Sequence, residues 1–465
     1  MSELPKGWAL SNLSGITSLD GVVSDGDWVE SKDQDPNGDV RLIQLADIGD
    51  GKFINKSNRF MNNEQTKRLR CTLLKEGDVL IARMPDPLGR ACLFPKLPND
   101  AVTVVDVCLI RLTPSSALKN KLFMYWVNSP TIRNLIDMQA SGTTRRRITR
   151  KKLALFDFPI PPLNEQTRIL DKLDSMLAKV DAAQARLDKI PNILKRFRQS
   201  VLAAATSGEL TKEWRGQHDE KLTYKLLGDT GVSIKTGPFG SALHKSDYIN
   251  NGISVINPMH INDGIITPRD SMSITLGKFN ELQAWHLRVG DIILGRRGEM
   301  GRAAEVKNIK NGMLCGTGSM VLRVNDSGLL PSYLCLILRS QNAVNYFTSN
   351  SVGSTMVNLN QKIIKGLSIH FPSFEEQNEI FRRVESLFTM ADSLEKQYKV
   401  AKARTNRLTQ SILAKAFRGE LVPQDENYEP ASKLLARIKT EQEGTHIKIK
   451  KIAKKLTVNK KVANA

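Results

Sequence analysis

Cysteine is sparse in this 465-residue chain, and what there is stands alone. Cys71, Cys92, Cys108, Cys315 and Cys335 are odd in number, and no Cys-x-x-Cys pair exists. That excludes a disulfide framework and a zinc ribbon, and leaves core or neutral thiols of a reducing compartment. The six histidines are scattered, none at ligand spacing from another or from a cysteine, so no metal site is expected. No run approaches the roughly 20 apolar residues of a membrane span. The start, Met1-Ser2-Glu3-Leu4-Pro5-Lys6, lacks a charged-then-apolar export pattern, and a soluble cytoplasmic protein is expected. Catalytic signatures are missing as well: no Gly-x-x-x-x-Gly-Lys-[Ser/Thr] phosphate loop, no Gly-x-Ser-x-Gly elbow and no His-Glu-x-x-His helix. No catalytic residue is assigned.

Acidic residues are in deficit. Lys plus Arg is 68 against 48 for Asp plus Glu, a net charge of +20. Such an excess points to a polyanion, most often nucleic acid, or to an anionic membrane surface, which the missing spans make the weaker option. Seven lysines after Glu443 (Lys448, Lys450, Lys451, Lys454, Lys455, Lys460 and Lys461) have no acidic neighbour, yet without them +13 of the +20 remains.

What is present is a duplication. Ser207-Gly208-Glu209-Leu210 returns as Arg418-Gly419-Glu420-Leu421, and Glu165-Gln166 returns as Glu376-Gln377, both 211 residues on. Holding that offset without a gap from Gly142 to Leu210 gives 18 identities in 69 positions. A long fixed period means a repeated domain-plus-helix unit rather than a solenoid.

Each copy changes texture part-way. Residues 1–163 hold short β-rich runs, such as Val79–Ala82 and Val102–Val107, split by turns like Asp35-Pro36-Asn37-Gly38, with a helical stretch at about Lys119–Met138. Over 164–208, Leu170, Leu173, Leu177, Val180, Leu187, Leu194 and Val201 fall on a heptad seam, with Gln184, Pro191 and Arg198 at its weak positions. Asn164 is placed to cap this helix, Pro191 to kink it and Gly208 to end it. A linker (209–224) leads to a second β-rich domain (225–374), with strands at Ile292–Leu294 and Met320–Leu322. The second helix (375–421) carries Phe381, Val384, Phe388, Ala391, Tyr398, Thr405 and Ile412 on the matching seam and closes at Gly419. Residues 422–465 supply a short amphipathic helix, Ala431–Gln442, and the lysine tail. The expected class is α+β: two β-rich domains separated by two long helices forming an antiparallel coiled coil, a pseudo-twofold internal repeat. Each helix, at about 40 residues, spans on the order of 60 Å.

The copies share surface motifs. Glu76-Gly77-Asp78 with strand Val79–Ala82 and Arg83 parallels Val289-Gly290-Asp291 with Ile292–Gly295 and Arg296, whose neighbour is Arg297. Gly89-Arg90-Ala91 parallels Gly301-Arg302-Ala303. An Arg fork grips phosphate or takes guanine O6 and N7 together, and the alternative is a solvent-facing Arg after a core strand. A second shared loop, Ser141-Gly142-Thr143-Thr144, matches Val352-Gly353-Ser354-Thr355, and its hydroxyls suit phosphate oxygens or base edges. Arg145, Arg146 and Arg147 follow it in the first copy only. Gly237-Pro238-Phe239-Gly240-Ser241, with Lys235, His244 and Lys245 around it, is read as a third loop private to the second copy, for contact or as a structural turn. One constellation points elsewhere. Asp291 followed by Glu305-Val306-Lys307 has the order of a magnesium-binding nuclease core, but its counterparts Asp78, Leu93 and Pro95 do not keep it.

Together the Phe158–Gln166 and Phe371–Gln377 helix starts, the Leu194–Leu202 and Leu408–Leu421 segments and the repeated plan resemble the specificity (S) subunit of type I restriction–modification enzymes, in the enteric-type (type IA) branch. The resemblance implies two target-recognition domains, each reading half of a split DNA sequence, and a helical ruler between them. It implies that the helices, with Glu165, Gln166, Glu376 and Gln377 at their starts, dock two modification (M) subunits that use S-adenosylmethionine. Motor–nuclease (R) subunits, using ATP and magnesium, join them, and the S subunit itself carries no active site or cofactor. Two readers on one face of DNA are expected about one turn, roughly 34 Å, apart. Competing readings are a stand-alone DNA-binding or architectural coiled-coil protein, and a nuclease built on Asp291, Glu305 and Lys307.

Overall fold

In the computed structural model, residues 4–143, 145–239, 241–325, 328–351 and 358–445 are described. Packing gathers them into two compact units, Met1–Arg186 with Ala401–Ala465, and Leu187–Val400.

Within the first unit the strand Val79–Ala82 is buried on both sides, because its side chains alternate between two cores. Val79 and Ile81, with Cys108 and Ile110 of the neighbouring strand Val107–Arg111, face a helical layer that includes Leu122, Phe123 and Trp126. Leu80, Ala82, Val107 and Leu109 face the other way, against Ile43 and Ile48. The strands run in the order Val22–Asp25, Val107–Arg111, Val79–Ala82, Ala91–Leu93, and a three-stranded sheet pairs Val40–Ile43 with Phe60–Met61 and, in parallel, with Ala101–Thr103.

Within the second unit the same plan returns. A four-stranded sheet runs Ser233–Thr236, Ser319–Arg323, Ile292–Gly295, Ala303–Glu305, and Ile253–Ile256 pairs with Ser273–Ile274 and, in parallel, with Met313–Cys315. Alternation again splits the strand, Ile292 and Leu294 facing one core and Ile293 the other.

Three local expectations change. The apolar run Val102–Val107 is not one strand: a turn closed by Val107 N–H to the Val104 carbonyl, 2.9 Å, divides it between the two sheets. The stretch Lys119–Met138 is two helices, Asn120–Val127 and Pro130–Gln139, because Pro130 disfavours helical geometry at Ser129. The first spacer helix starts at Leu163, so Asn164 lies inside it, and the Pro162 carbonyl takes the Gln166 N–H at 3.0 Å.

The helix is interrupted where expected. It runs Leu163–Leu187, breaks at Asp188 and Lys189, and resumes as Ile190–Thr206 with Pro191 in its first turn, where the missing N–H costs nothing. Its counterpart Phe374–Phe417 is unbroken. Gly208 and Gly419 stand just past the helix ends with φ of +80° and +74°. After Gly419 the bonds Glu420 N–H to the Lys415 carbonyl and Gly419 N–H to the Ala416 carbonyl close a Schellman motif.

Residues on and beside the heptad seam bury their side chains inside each unit. Leu170, Leu173, Ile412, Leu413 and Ala416 belong to one core, and Val201, Leu202, Ala205, Ile380 and Val384 to the other. In the second unit Arg198 bonds Asp392 at 2.7 Å and Glu395 at 3.0 Å, while Arg215, farther along the chain, reaches back to Glu376, so the partners run antiparallel. No helix among the described residues is long and apolar enough to cross a membrane. The tail from residue 446 lies outside the described residues.

Candidate nucleic-acid interface

Strand direction decides where the shared motifs meet. Val22–Asp25 and Val79–Ala82 both pair antiparallel with Val107–Arg111, so both exit at the same end of the sheet. Arg83 leaves that end, and its carbonyl accepts the Ile148 N–H at 3.1 Å. Two motifs far apart in sequence, the strand-exit arginine and the Ser141–Arg147 loop, are thereby brought side by side. The second unit repeats the junction: the Arg296 carbonyl accepts the Leu359 N–H at 2.9 Å, and Arg297 bridges Asn358.

Arginines at this end differ in what they are free to do. Arg83 is 4% exposed and its guanidinium is held by the Asp25 carboxylate at 2.6 Å and by the Val105 carbonyl. Arg90, 8% exposed, donates to the carbonyls of Ile48, Leu45, Pro87 and Met84. These two are expected to touch DNA; within the chain their donors tie strand ends and loops together. Arg302 does part of the same work, donating to the Pro258 carbonyl at 3.2 Å while pairing with Glu299 at 2.7 Å.

Other cations are presented outward. Arg145 is exposed and makes no hydrogen bond or ion pair among the described residues, whereas Arg146 pairs with Asp137 at 3.3 Å and Arg147 with Asp106 at 2.9 Å. Thr143 is exposed, and Thr144, Ser354 and Thr355 lie outside the described residues. In the second unit Arg297, His244 and Lys245 are exposed, as is Lys235, whose ammonium lies 5.3 Å from the centre of the Trp285 ring. Arg296 is partly buried, donates to Asn358 at 3.0 Å and has no carboxylate partner among the described residues. Burial, and then the charge of Arg297, lower its pKa from the ordinary arginine value, as expected for a cation without a counter-charge.

Glu165, Gln166, Glu376 and Gln377 are all at most 1% exposed. Gln166 accepts the Lys119 N–H and donates to the Ala117 and Pro161 carbonyls; Gln377 accepts the Leu330 N–H and donates to those of Gly328 and Pro372. Glu165 accepts the Trp8 indole N–H at 3.1 Å, and Glu376 takes Thr211 at 2.6 Å and Arg215 at 2.5 Å. These four side chains, expected to dock partner subunits, hold each helix start to neighbouring segments of its own unit.

Magnesium chemistry finds no support. Asp291 is 1% exposed and bound by both arms of Arg323 at 2.7 Å, just as Asp78 is by Arg111 at 2.7 and 2.6 Å. A carboxylate committed to a two-pronged arginine pair is a structural anchor. Among the described residues no three His, Cys, Asp or Glu side chains are grouped to hold a metal ion.

The repeat has counterparts in known proteins. Residues 5–192 and 234–401 match the type I restriction modification DNA specificity domain. The chain belongs to that family. Among similar curated proteins are the type I restriction enzyme EcoBI specificity subunit of Escherichia coli, 35% identical over 373 residues, 76% of each chain, and the StySPI specificity subunit of Salmonella potsdam. The latter is 32% identical over 462 residues, 95% of this chain and 96% of that one. The fold matches a chain of a solved type I R-M system assembly, with TM-score 0.68 at 20% identity over 90% of this chain and all of that one. It also matches the HsdS subunit from Thermoanaerobacter tengcongensis, with TM-score 0.56 at 21% identity over 90% of this chain and 98% of that one. The protein is therefore a DNA sequence-specificity subunit of a type I restriction–modification system, a non-catalytic class in which other subunits carry the chemistry.

The sequence reading missed one feature. It took Gly237-Pro238-Phe239 as a loop of the second copy alone, yet Gly26-Asp27-Trp28 leaves the equivalent strand at the equivalent place, 211 residues earlier. Only the glycine is identical, so a gap-free search for repeated runs passes over it; an aromatic two residues after each glycine was the available signal.

Proposed function

We propose that each unit reads one half of a split duplex DNA target, and that the helices between them set the spacing of the halves. One observation carries the reading: in both units the carbonyl of the strand-exit arginine accepts an N–H from far along the chain, Ile148 for Arg83 and Leu359 for Arg296. A loop anchored to a sheet end is suited to groove contact. Arg145, Arg146, Arg147 and Thr143, with Thr144, serve the first half-site. Arg296, Arg297, Arg302, Lys235, His244 and Lys245, with Ser354 and Thr355, serve the second. Exposed members hold phosphates and add a salt-dependent share of affinity, while few donors reach base edges.

Assembly is the other half of the reading. Two M subunits carrying S-adenosylmethionine dock on the spacer helices, and R subunits with ATP and magnesium join them, all in the cytoplasm. Linking two modest readers converts the second contact into an intramolecular one, so their affinities combine only when the half-sites are correctly spaced.

Insertion of one helical turn at Asp188–Lys189, with a matching turn after Val400, tests the ruler. Mapping of methylated adenines is expected to return the same two half-sites with a changed spacer. An unchanged spacer would refute it.

A further inference from the structure

At the sheet end where the arginine and the loop exit meet, each unit also holds a bulky ring that nothing in its own core uses. Trp28 is 69% exposed and Phe239 is 65% exposed, the two most exposed aromatic side chains among the described residues. Their placement is the same. Each follows the first strand of its four-stranded sheet, three residues after Asp25 or Thr236. Each is delivered by a glycine that has no room for a side chain: a Cβ on Gly26 would overlap the Val104 carbonyl oxygen, and one on Gly237 the Gly316 carbonyl oxygen. Backbone bonds fix both turns, Asp27 N–H to Thr103 and Gly237 N–H to Ser319, at 2.8 and 2.9 Å.

Exposing an indole or a phenyl ring to water forgoes the burial that such side chains supply so well, about 150–250 Å² each. A turn that does so at one position is unremarkable. Two copies that have diverged over most of these domains, yet both hold a ring at the same turn, argue for a shared occupant. The surroundings say what kind. Lys235, on the strand that delivers Phe239, and Arg297, just past the exit of Ile292–Gly295 in the same sheet, are exposed and cationic, as is Lys245 shortly after the ring in sequence, while Phe239 itself offers only an apolar face. A surface that is cationic at its rim and apolar at one point fits duplex DNA, whose phosphates flank base edges that include the thymine methyl.

We propose that Trp28 and Phe239 are equivalent specificity-determining contacts, each pressing its ring on base edges and sugars within its own half-site. This rests on the reading of the chain as a reader of a split target. Trp28 differs in one respect: its indole N–H is held by Glu30 at 3.3 Å, which fixes the ring and leaves its faces for contact.

The test uses the full chain assembled with its modification subunits, in four versions beside the wild type: Trp28→Ala, Trp28→Phe, Phe239→Ala and Phe239→Tyr. Because both rings are exposed, assembly and thermal stability should be unchanged. Binding to a duplex carrying the mapped wild-type target should weaken about tenfold or more in each alanine variant, with substantial recovery in the aromatic ones. Binding to an unrelated duplex, and its salt dependence, should stay as in the wild type, since no charge is removed. Methylation mapping should show Trp28→Ala relaxing one half-site and Phe239→Ala only the other. Specific binding within twofold of wild type, equal loss on both duplexes, or failure to assemble would each overturn the assignment; failed assembly would mark the rings as a protein-docking surface. A wild-type complex whose methylation shows no split target would overturn the functional reading, and this assignment with it.

Discussion

The two units place the same arginine at the same strand exit and then treat it in opposite ways. Around Arg83 the cluster is built of full charges: Asp25 holds Arg83 and, at 3.3 Å, Arg150, while Asp106 holds Arg147. Around Arg296 every matching partner is neutral. Thr236 stands where Asp25 does and bonds Gln361, the counterpart of Arg150, at 3.4 Å, and Asn358 stands where Arg147 does. A duplicated scaffold can thus keep its backbone junction while exchanging the carboxylate partners of a cation for neutral ones. In the first unit the free charge has moved to Arg145, at the tip of the loop.

The helix anchors diverge in the same manner, and the largest expected effect lies there. Glu376 faces the buried Arg215 cation, so Glu376→Gln leaves a charge unpaired and should destabilise the second unit by about 3–5 kcal/mol. Glu165 has no cation in direct contact among the described residues. Burial raises its pKa, with Trp8, Gln424 and Arg168 pulling the other way. A carboxyl raised on folding weakens the folded state above its folded pKa, and the cost is relieved as pH falls through that value. Glu165→Gln should therefore raise the melting temperature of the first unit at pH 7, with the gain over wild type closing on acidification. Calorimetry across pH, with hydrogen exchange near each anchor, measures both; equal effects of the two substitutions would dissolve the contrast.

Arg83 and Arg296 are next. Arg83→Ala strands Asp25 and the Val105 carbonyl and should cost about 1–3 kcal/mol of stability, whatever it does to DNA. Arg296→Ala should leave the melting temperature nearly unchanged and weaken specific DNA binding by about 1–3 kcal/mol. Parallel melting and binding curves decide it, and a destabilised Arg296→Ala would make that arginine a tether too. The smallest effect is expected of Arg145→Ala and Lys245→Ala, each reducing the slope of log affinity against log salt by about one.

Much of this fold was legible because repeats expose themselves. The heptad leucines, the Pro191 interruption, the glycine helix ends and the paired strand-exit arginines all follow from local spacing. Solvent access was not legible. Whether Arg83 is a reader depends on Asp25 and the Val105 carbonyl, which only the sheet order brings to it. The burial of Glu165 and Glu376 likewise depends on Trp8 and Arg215, from segments far away in sequence. Such partners are set by tertiary contacts, which no short window of sequence contains. The glycine-delivered aromatic stayed hidden for a different reason: the two turns share a shape and one residue, not a run of letters.

Genome-wide mapping of methylated adenines in cells carrying the Arg296→Ala/Arg297→Ala chain, beside cells carrying Trp28→Ala, tests the central claim most directly. The account predicts that the first chain relaxes one half of the target and the second chain relaxes only the other half, with the spacer intact in both. Relaxation of both halves by either chain, or of the same half by both, would contradict it.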